Sequence, residues 1–198
     1  MMVYVDRIEN SIFSSNTFVI TSDESKDVWL IDCGDVDKVI RMLPEASKVA
    51  GVFFTHTHFD HIYGINDLVN VFPDCLMYTS EYGAEAIRSS KMNLSRYHES
   101  PVEYKGDNLR VLKEGDAVQI YDNLEMHVIE TPGHCPSCLS YMTDQWLFSG
   151  DSYIPGLNVV TNFPKADKVL AQLSVNKIKG LTSNRILFPG HGEVVDNI

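Results

Sequence analysis

Five of the seven histidines stand in three short segments flanked by threonine or glycine. The first is Thr55-His56-Thr57-His58-Phe59-Asp60-His61, directly after the apolar run Val52-Phe53-Phe54. The second is Thr131-Pro132-Gly133-His134, after Val128-Ile129-Glu130, and the third is Phe188-Pro189-Gly190-His191-Gly192, after Ile186-Leu187. A fourth segment, Phe148-Ser149-Gly150-Asp151, repeats the arrangement with a carboxylate in place of the imidazole. Each candidate ligand follows the carboxyl end of an apolar strand, where a rigid element delivers it accurately and an adjacent glycine permits close backbone approach. His56 and His58 are two apart, so an extended backbone points both to one side. Asp60 and His61 fall at the turn into a helix carrying Ile62 and Ile65, and a helix amino terminus favours a carboxylate and a neutral imidazole.

This donor set is metal chemistry. Imidazole with carboxylate suits zinc, and also iron or manganese; calcium and magnesium take all-oxygen shells. His56, His58, Asp60, His61, His134, Asp151 and His191 are too many for one tetrahedral zinc and suit two divalent ions sharing a bridging carboxylate. A structural zinc site is more often closed by four Cys or His ligands, whereas carboxylates leave positions for water, as catalysis requires. His98 and His127 stand outside these segments and read as ordinary surface or packed residues. Asp32, ending the strand Leu30-Ile31, is either a carboxylate that orients a ligand histidine or a cap for the next helix, a task Asp35 could share. Cys135 and Cys138 form a Cys-x-x-Cys with a redox or zinc-clip reading, set against the commoner use of free cysteine as a small apolar side chain; Cys33 and Cys75 read as core.

The elements that must position these residues alternate. Strands are predicted over Val3–Ile8, Thr17–Thr21 and Val28–Ile31, then a helix over Asp35–Leu43 ended by Pro44, then a buried strand over Val49–Thr55. Ile62, Ile65, Val69 and Phe72 follow at helical spacing, and another helix is predicted over Glu81–Arg88. Strand signals return over Leu109–Leu112, Ala117–Ile120, Leu124–Glu130, Leu139–Thr143 and Trp146–Ser149. A helix over Lys165–Lys179 carries Val169, Leu170, Leu173 and Ile178 on its apolar face, and Arg185–Phe188 is the last strand. Strands then helices, twice over, is an α+β pattern of two packed sheets with helices outside.

At 198 residues the chain has one-domain length, and no proline-rich or low-complexity linker divides residues 1–198. Apolar residues at 44% and charged residues at 22% exclude disorder, collagen-like repeats and a whole-chain coiled coil. Sixteen Lys and Arg against 27 Asp and Glu leave a net charge of −11, a poor match for nucleic acid; Arg88, Lys91 and Arg96 are the nearest approach to a basic cluster. No segment reaches the roughly 18–20 apolar residues of a membrane span, and the amino terminus does not read as a signal peptide. With four cysteines too few and irregular for a disulfide framework, the expected compartment is the reducing cytoplasm.

The complete set resembles the metallo-β-lactamase superfamily, metal-dependent hydrolases of four-layer αββα architecture with two mixed sheets face to face. Its His-x-His-x-Asp-His motif matches His56, His58, Asp60 and His61, its later ligands match His134 and His191, and its bridging aspartate matches Asp151. The resemblance implies one metal on His56, His58 and His134, another on Asp60, His61 and His191, and Asp151 between them. Aspartate at 151 resembles the glyoxalase II-like branch; the true zinc β-lactamases typically carry cysteine there. Two departures separate the chain from glyoxalase II proper: it stops seven residues after His191, without a carboxyl-terminal helical region for a glutathione thioester, and Cys135-Pro136-Ser137-Cys138 replaces a common Thr-x-Gly-Ser-like run. The implied reaction is hydrolysis of an ester, thioester, lactone or related bond of a small molecule by a hydroxide bridging two metals, with Asp60 also shuttling a proton. One alternative is a mononuclear iron oxygenase resembling the persulfide dioxygenases, on His56, His134 and Asp151; another is a non-catalytic metal-binding protein. Ser152–Pro164, with Tyr153, Leu157 and Phe163, is expected to wall the cleft. The stretch Ser89–Glu99, with Arg88, Lys91 and Arg96, reads as a solvated face or a receiver of an anionic group.

Overall fold

The computed structural model describes residues 1–196. Alternating or wholly apolar runs rich in β-branched and aromatic residues build the first sheet from β1 (Val3–Glu9), β2 (Asn16–Ser22), β3 (Asp27–Ile31), β4 (Lys48–Phe53), β5 (Leu76–Thr79) and β6 (Leu109–Val111), in that spatial order. β1–β2–β3 pair antiparallel and β3 to β6 pair parallel, so the sheet is mixed. The second sheet has the order β11-β10-β9-β8-β7, from β7 (Ala117–Tyr121), β8 (Leu124–Glu130), β9 (Leu139–Met142), β10 (Trp146–Gly150) and β11 (Ile186–Pro189). It too is mixed, with only β10 and β11 parallel.

The inner faces of the two sheets meet in one core. Phe18, Trp29, Phe53 and Tyr78 from the first sheet pack with Met126, Tyr141, Phe148 and Phe188 from the second. Buried polar tips are satisfied across the gap: Trp29 Nε1 donates to Ile120 O (2.9 Å) and Tyr141 Oη to Phe54 O (2.8 Å). Outside the first sheet lie α1 (Val36–Met42), α2 (Phe59–Ile62), α3 (Ile65–Val71) and α4 (Glu81–Ala86), covering Leu30, Val52 and Phe54 with Val39, Ile62, Ile65 and Leu68. Outside the second lies α5 (Lys168–Leu181), whose Ile178 meets Ile129, Leu147 and Leu187. This is the expected αββα sandwich of two mixed sheets.

Three local expectations change. Strand β5 has no counterpart in the sequence reading, because Leu76-Met77-Tyr78-Thr79 is short and begins with residues that favour no strand. The helical spacing from Ile62 to Phe72 belongs to two helices: Cys33 N donates to His61 O (2.8 Å) and Gly64 N to Cys33 O (3.1 Å), which diverts the helical ladder between them. The third change is the face of α5. Val169, Leu170 and Leu173 are 70%, 41% and 59% exposed, and the buried residues are Ala171, Ser174 and Ile178. The helix presents small residues inward because the Thr131–Cys138 loop lies against it. Ser174 Oγ donates to Pro132 O (2.6 Å), and a Cβ on Gly133, at φ +135°, would overlap the Ala171 backbone.

Candidate metal centre

Each sequence-predicted ligand leaves its strand at the same edge of the sandwich. After β4 the chain stays extended through His58 (φ −69°, ψ 152°), which caps α2 and places Asp60 and His61 in its first turn. His134 follows β8, Asp151 follows β10, and His191 follows β11. Gly190 makes room for this convergence, since a Cβ there would overlap the Asp151 carboxylate.

All seven side chains meet. His56, His58 and His134 form one group of nitrogens, and Asp60, His61 and His191 a second, with ligand atoms within 4.8 Å of one another in each. Asp151 lies between the groups: Oδ2 is 3.6 Å from His134 Nε2 and 3.5 Å from His191 Nε2, and Oδ1 is 3.6 Å from His61 Nε2. The resemblance gives its expectation for the first two groups; Asp32, His56 and His61 form a third within the same distance. His98 and His127 stay apart, His98 stacked on Phe59 (centroids 3.9 Å) and His127 exposed beside Glu125.

The rings are oriented from behind. His61 Nδ1 pairs with Asp32 Oδ2 (2.8 Å), His134 Nδ1 with Val160 O (2.9 Å), and His191 Nδ1 with Phe13 O (3.1 Å). In each the Nε2 is turned to the centre. Asp32 thus takes the orienting role of its two readings; it also accepts from Thr55 N and Thr55 Oγ1 (both 2.7 Å), and caps no helix. Its φ of +58° is a left-handed conformation that costs a non-glycine residue energy. Phe13 and Val160 were missed by the sequence reading because a backbone carbonyl carries no residue-type signal.

Electrostatics divide the imidazoles. Burial, then the neighbouring His134, pushes His58 down to about 3, and burial likewise holds His56 well below the usual range. Burial also opposes the charge on His61 and His191, but surrounding carboxylates outweigh it. Asp60, Asp32 and Asp151 raise His61 to about 9, and Asp151 and Asp60 raise His191 to about 10. Asp151 is held far below the ordinary carboxylate range against its own burial, by His61, His191 and His134.

Whether these residues suit a cation can be tested on the atoms left over. His56 Nε2 and Asp151 Oδ1 are buried without any hydrogen-bond partner, and His58 Nδ1 faces His134 Nε2 at 2.9 Å, nitrogen against nitrogen. Unpaired buried acceptors are costly, and facing lone pairs need a proton or a cation between them. The donor set fits divalent metal.

A model of the metallo-beta-lactamase superfamily matches residues 11–191. The chain belongs to this superfamily. Its relatives include the hydroxyacylglutathione hydrolases of Hydrogenovibrio crunogenus, 28% identical over 92% of this chain and 60% of that protein, and of Buchnera aphidicola, 24% identical over 95% and 66%. These relatives bear the name of the glyoxalase II-like branch indicated by Asp151, and the chain spans 60–66% of their length. The crystal structure of BLEG-1 B3 metallo-beta-lactamase superposes with a TM-score of 0.87 at 26% identity, over 97% of this chain and 93% of that one.

Beside His58 the superfamily fold leaves a cleft of about 120 Å³, lined among others by Thr57, Tyr82, Lys91, Pro164 and Lys165. Of the three apolar side chains singled out in the expected wall, Phe163 reaches the site, its ring edge-on to His58 (4.8 Å) and His134 (5.6 Å), beside Pro164 in the cleft lining and Val160 O behind His134. Tyr153 is buried in the outer core under α5, and Leu157 is 64% exposed along a different groove. Lys91 faces the cleft, whereas Arg88 is spent on Gly106 O (2.7 Å) and Arg96 on Tyr97. Among the described residues no helix is long and apolar enough to cross a membrane.

Proposed function

We propose that this chain is a metal-dependent hydrolase, working as one domain on an ester, thioester, lactone or related bond of a small molecule. His56, His58 and His134 hold one divalent ion, Asp60, His61 and His191 a second, and Asp151 is shared. Zinc is the metal we assign, on a donor set of imidazole and carboxylate. The observation that carries this reading is the pair of buried orphans, His56 Nε2 and Asp151 Oδ1, beside the facing nitrogens of His58 and His134. Superfamily membership and the hydroxyacylglutathione hydrolase relatives support it. A complete second group on Asp60, His61 and His191 favours two ions over a mononuclear oxygenase site. Four free, buried cysteines support a cytoplasmic setting.

Such ions, when bound, polarise an electrophilic oxygen and yield a nucleophile from water near neutral pH. The chain's own groups prepare the site. Asp32, Val160 and Phe13 fix ring rotation and tautomer, and Phe163 sets its ring edge-on to His58 and His134. Asp60, whose Oδ2 is 3.3 Å from His191 Nε2, is placed to take a proton. Its burial is outweighed by His61 and His191, which lower its carboxyl below the usual range and make it a weak base.

Elemental analysis of protein purified without a metal-chelating tag should find about two zinc per chain. Hydroxyacylglutathione is the first substrate to assay, followed by simple esters, lactones and a β-lactam. His58→Ala and Asp151→Ala should abolish turnover while a cooperative melting transition remains. Full activity in a metal-free Asp151→Ala protein would end the reading, and one iron per chain with oxygen uptake on a persulfide would replace it with the dioxygenase.

A further inference from the structure

The metal reading uses neither Cys135 nor Cys138. Both are buried, yet their sulfurs face each other at 3.3 Å inside one tight turn, where Cys138 N donates to Cys135 O (3.4 Å) and Pro136 restricts the chain between them. Cysteines that serve only as apolar filling need no such approach: Cys33 and Cys75 sit in the core of the first sheet, and among the described residues no hydrogen bond joins their sulfurs, Cys75 Sγ lying instead 3.6 Å from Leu76 O. Cys135, although buried, is among the residues lining the cleft beside His58, the side from which a small reagent would approach it. Two thiols alone do not complete a tetrahedral zinc site, which sets the zinc-clip reading aside.

We propose that Cys135 and Cys138 are a dithiol that closes reversibly to an intraloop disulfide, by exchange with a low-molecular-weight disulfide entering through the cleft. One cysteine sulfur attacks that disulfide and expels a first external thiol, leaving a mixed disulfide; the other then attacks the mixed bond and expels the second. Two cysteine S–H bonds and one external S–S bond are lost, one protein S–S bond forms, and the two protons leave on the two released thiols. Closure shortens the sulfur separation to about 2.05 Å and draws Cys135 Sγ away from Ser137 Oγ, now 3.0 Å distant. Ser137 Oγ also holds Thr57 N (3.2 Å) and Thr57 Oγ1 (3.1 Å), so the bond is felt between His56 and His58. The chemistry of the pair does not depend on any metal being present.

The test equilibrates the intact, metal-loaded protein with mixtures of oxidised and reduced glutathione, quenches, denatures, alkylates and weighs it. The wild type should pass from four alkylatable thiols to two, the missing pair mapping to the peptide that holds residues 135–138, and dithiothreitol should restore all four. Cys33 and Cys75 serve as internal controls. Cys135→Ser and Cys138→Ser should each keep three reactive thiols once any mixed disulfide is reversed. Retention of four thiols in a large excess of oxidised glutathione overturns the proposal, as does a mixed disulfide that persists at Cys135 without ring closure. The readout is a mass, so a failed hydrolase assay leaves it intact.

Discussion

Asp32 acts one bond behind the candidate ligands. Its carboxylate is wholly committed, to two donors of Thr55 and to His61 Nδ1, so an amide in its place can accept some of these bonds but turns an N–H₂ toward groups that need an acceptor. Asp32→Asn is expected to weaken zinc affinity by about 10- to 100-fold, the usual effect of removing the carboxylate behind a ligand histidine. Competition with a chromogenic chelator measures it, and affinity equal to wild type would show that His61 is held by something else. The seven candidate ligands were legible because their types and spacings are local facts about the chain. The partners behind His134 and His191 were not, because Val160 and Phe13 contribute main-chain oxygens that any residue would offer.

Elements are tied to the site at two places where substitution should be informative. Gly133 carries φ +135° and lies against α5, so Gly133→Ala meets both backbone strain and overlap with Ala171. A loss of roughly 1–3 kcal/mol in denaturant unfolding is expected, by analogy with overpacked sites. His134 is the neighbouring residue, so weaker metal binding should accompany the loss; an unchanged midpoint would mean that the loop and α5 can part at little cost. The other tie is Asp35, which accepts from Ser11 N (2.8 Å), Ser11 Oγ (2.7 Å) and Tyr63 Oη and pairs with Lys38 (2.7 Å). Burial opposes its charge, but Lys38, Tyr63 and Ser11 lower it from 3.8 to about 2. A depressed carboxyl stabilises the fold fully above its unfolded value and loses that effect as pH falls through the folded one. Acid titration should therefore remove roughly 2 kcal/mol between about pH 4 and pH 2. Asp35→Asn should flatten that part of the stability profile, and an identical profile in the variant would refute the assignment.

Across the whole molecule the core and the site are separate. The aromatic layer between the sheets contains none of the candidate ligands, whereas the ligands gather at one edge from β4, β8, β10 and β11. Removing metal should therefore leave the secondary structure in place and lower the melting temperature. Ligand linkage predicts about 2.7 kcal/mol of added stability at a free zinc concentration 100-fold above Kd. Differential scanning with a chelator, then with zinc restored, measures it. A melting temperature indifferent to both would place the binding energy outside the folded site.

Residue order alone carried the candidate-ligand positions, most strand positions and the two-sheet α+β pattern, because hydrophobic period and motif spacing are properties of neighbouring residues. Folding in space chose the rest. Strand β5 exists because β4 and β6 offer edges on either side of it, and α5 turns Ala171 and Ser174 inward because only small residues fit beneath the His134 loop. Asp32 became the partner of His61 rather than a helix cap for the same reason: contacts between distant segments depend on shapes that no local pattern encodes.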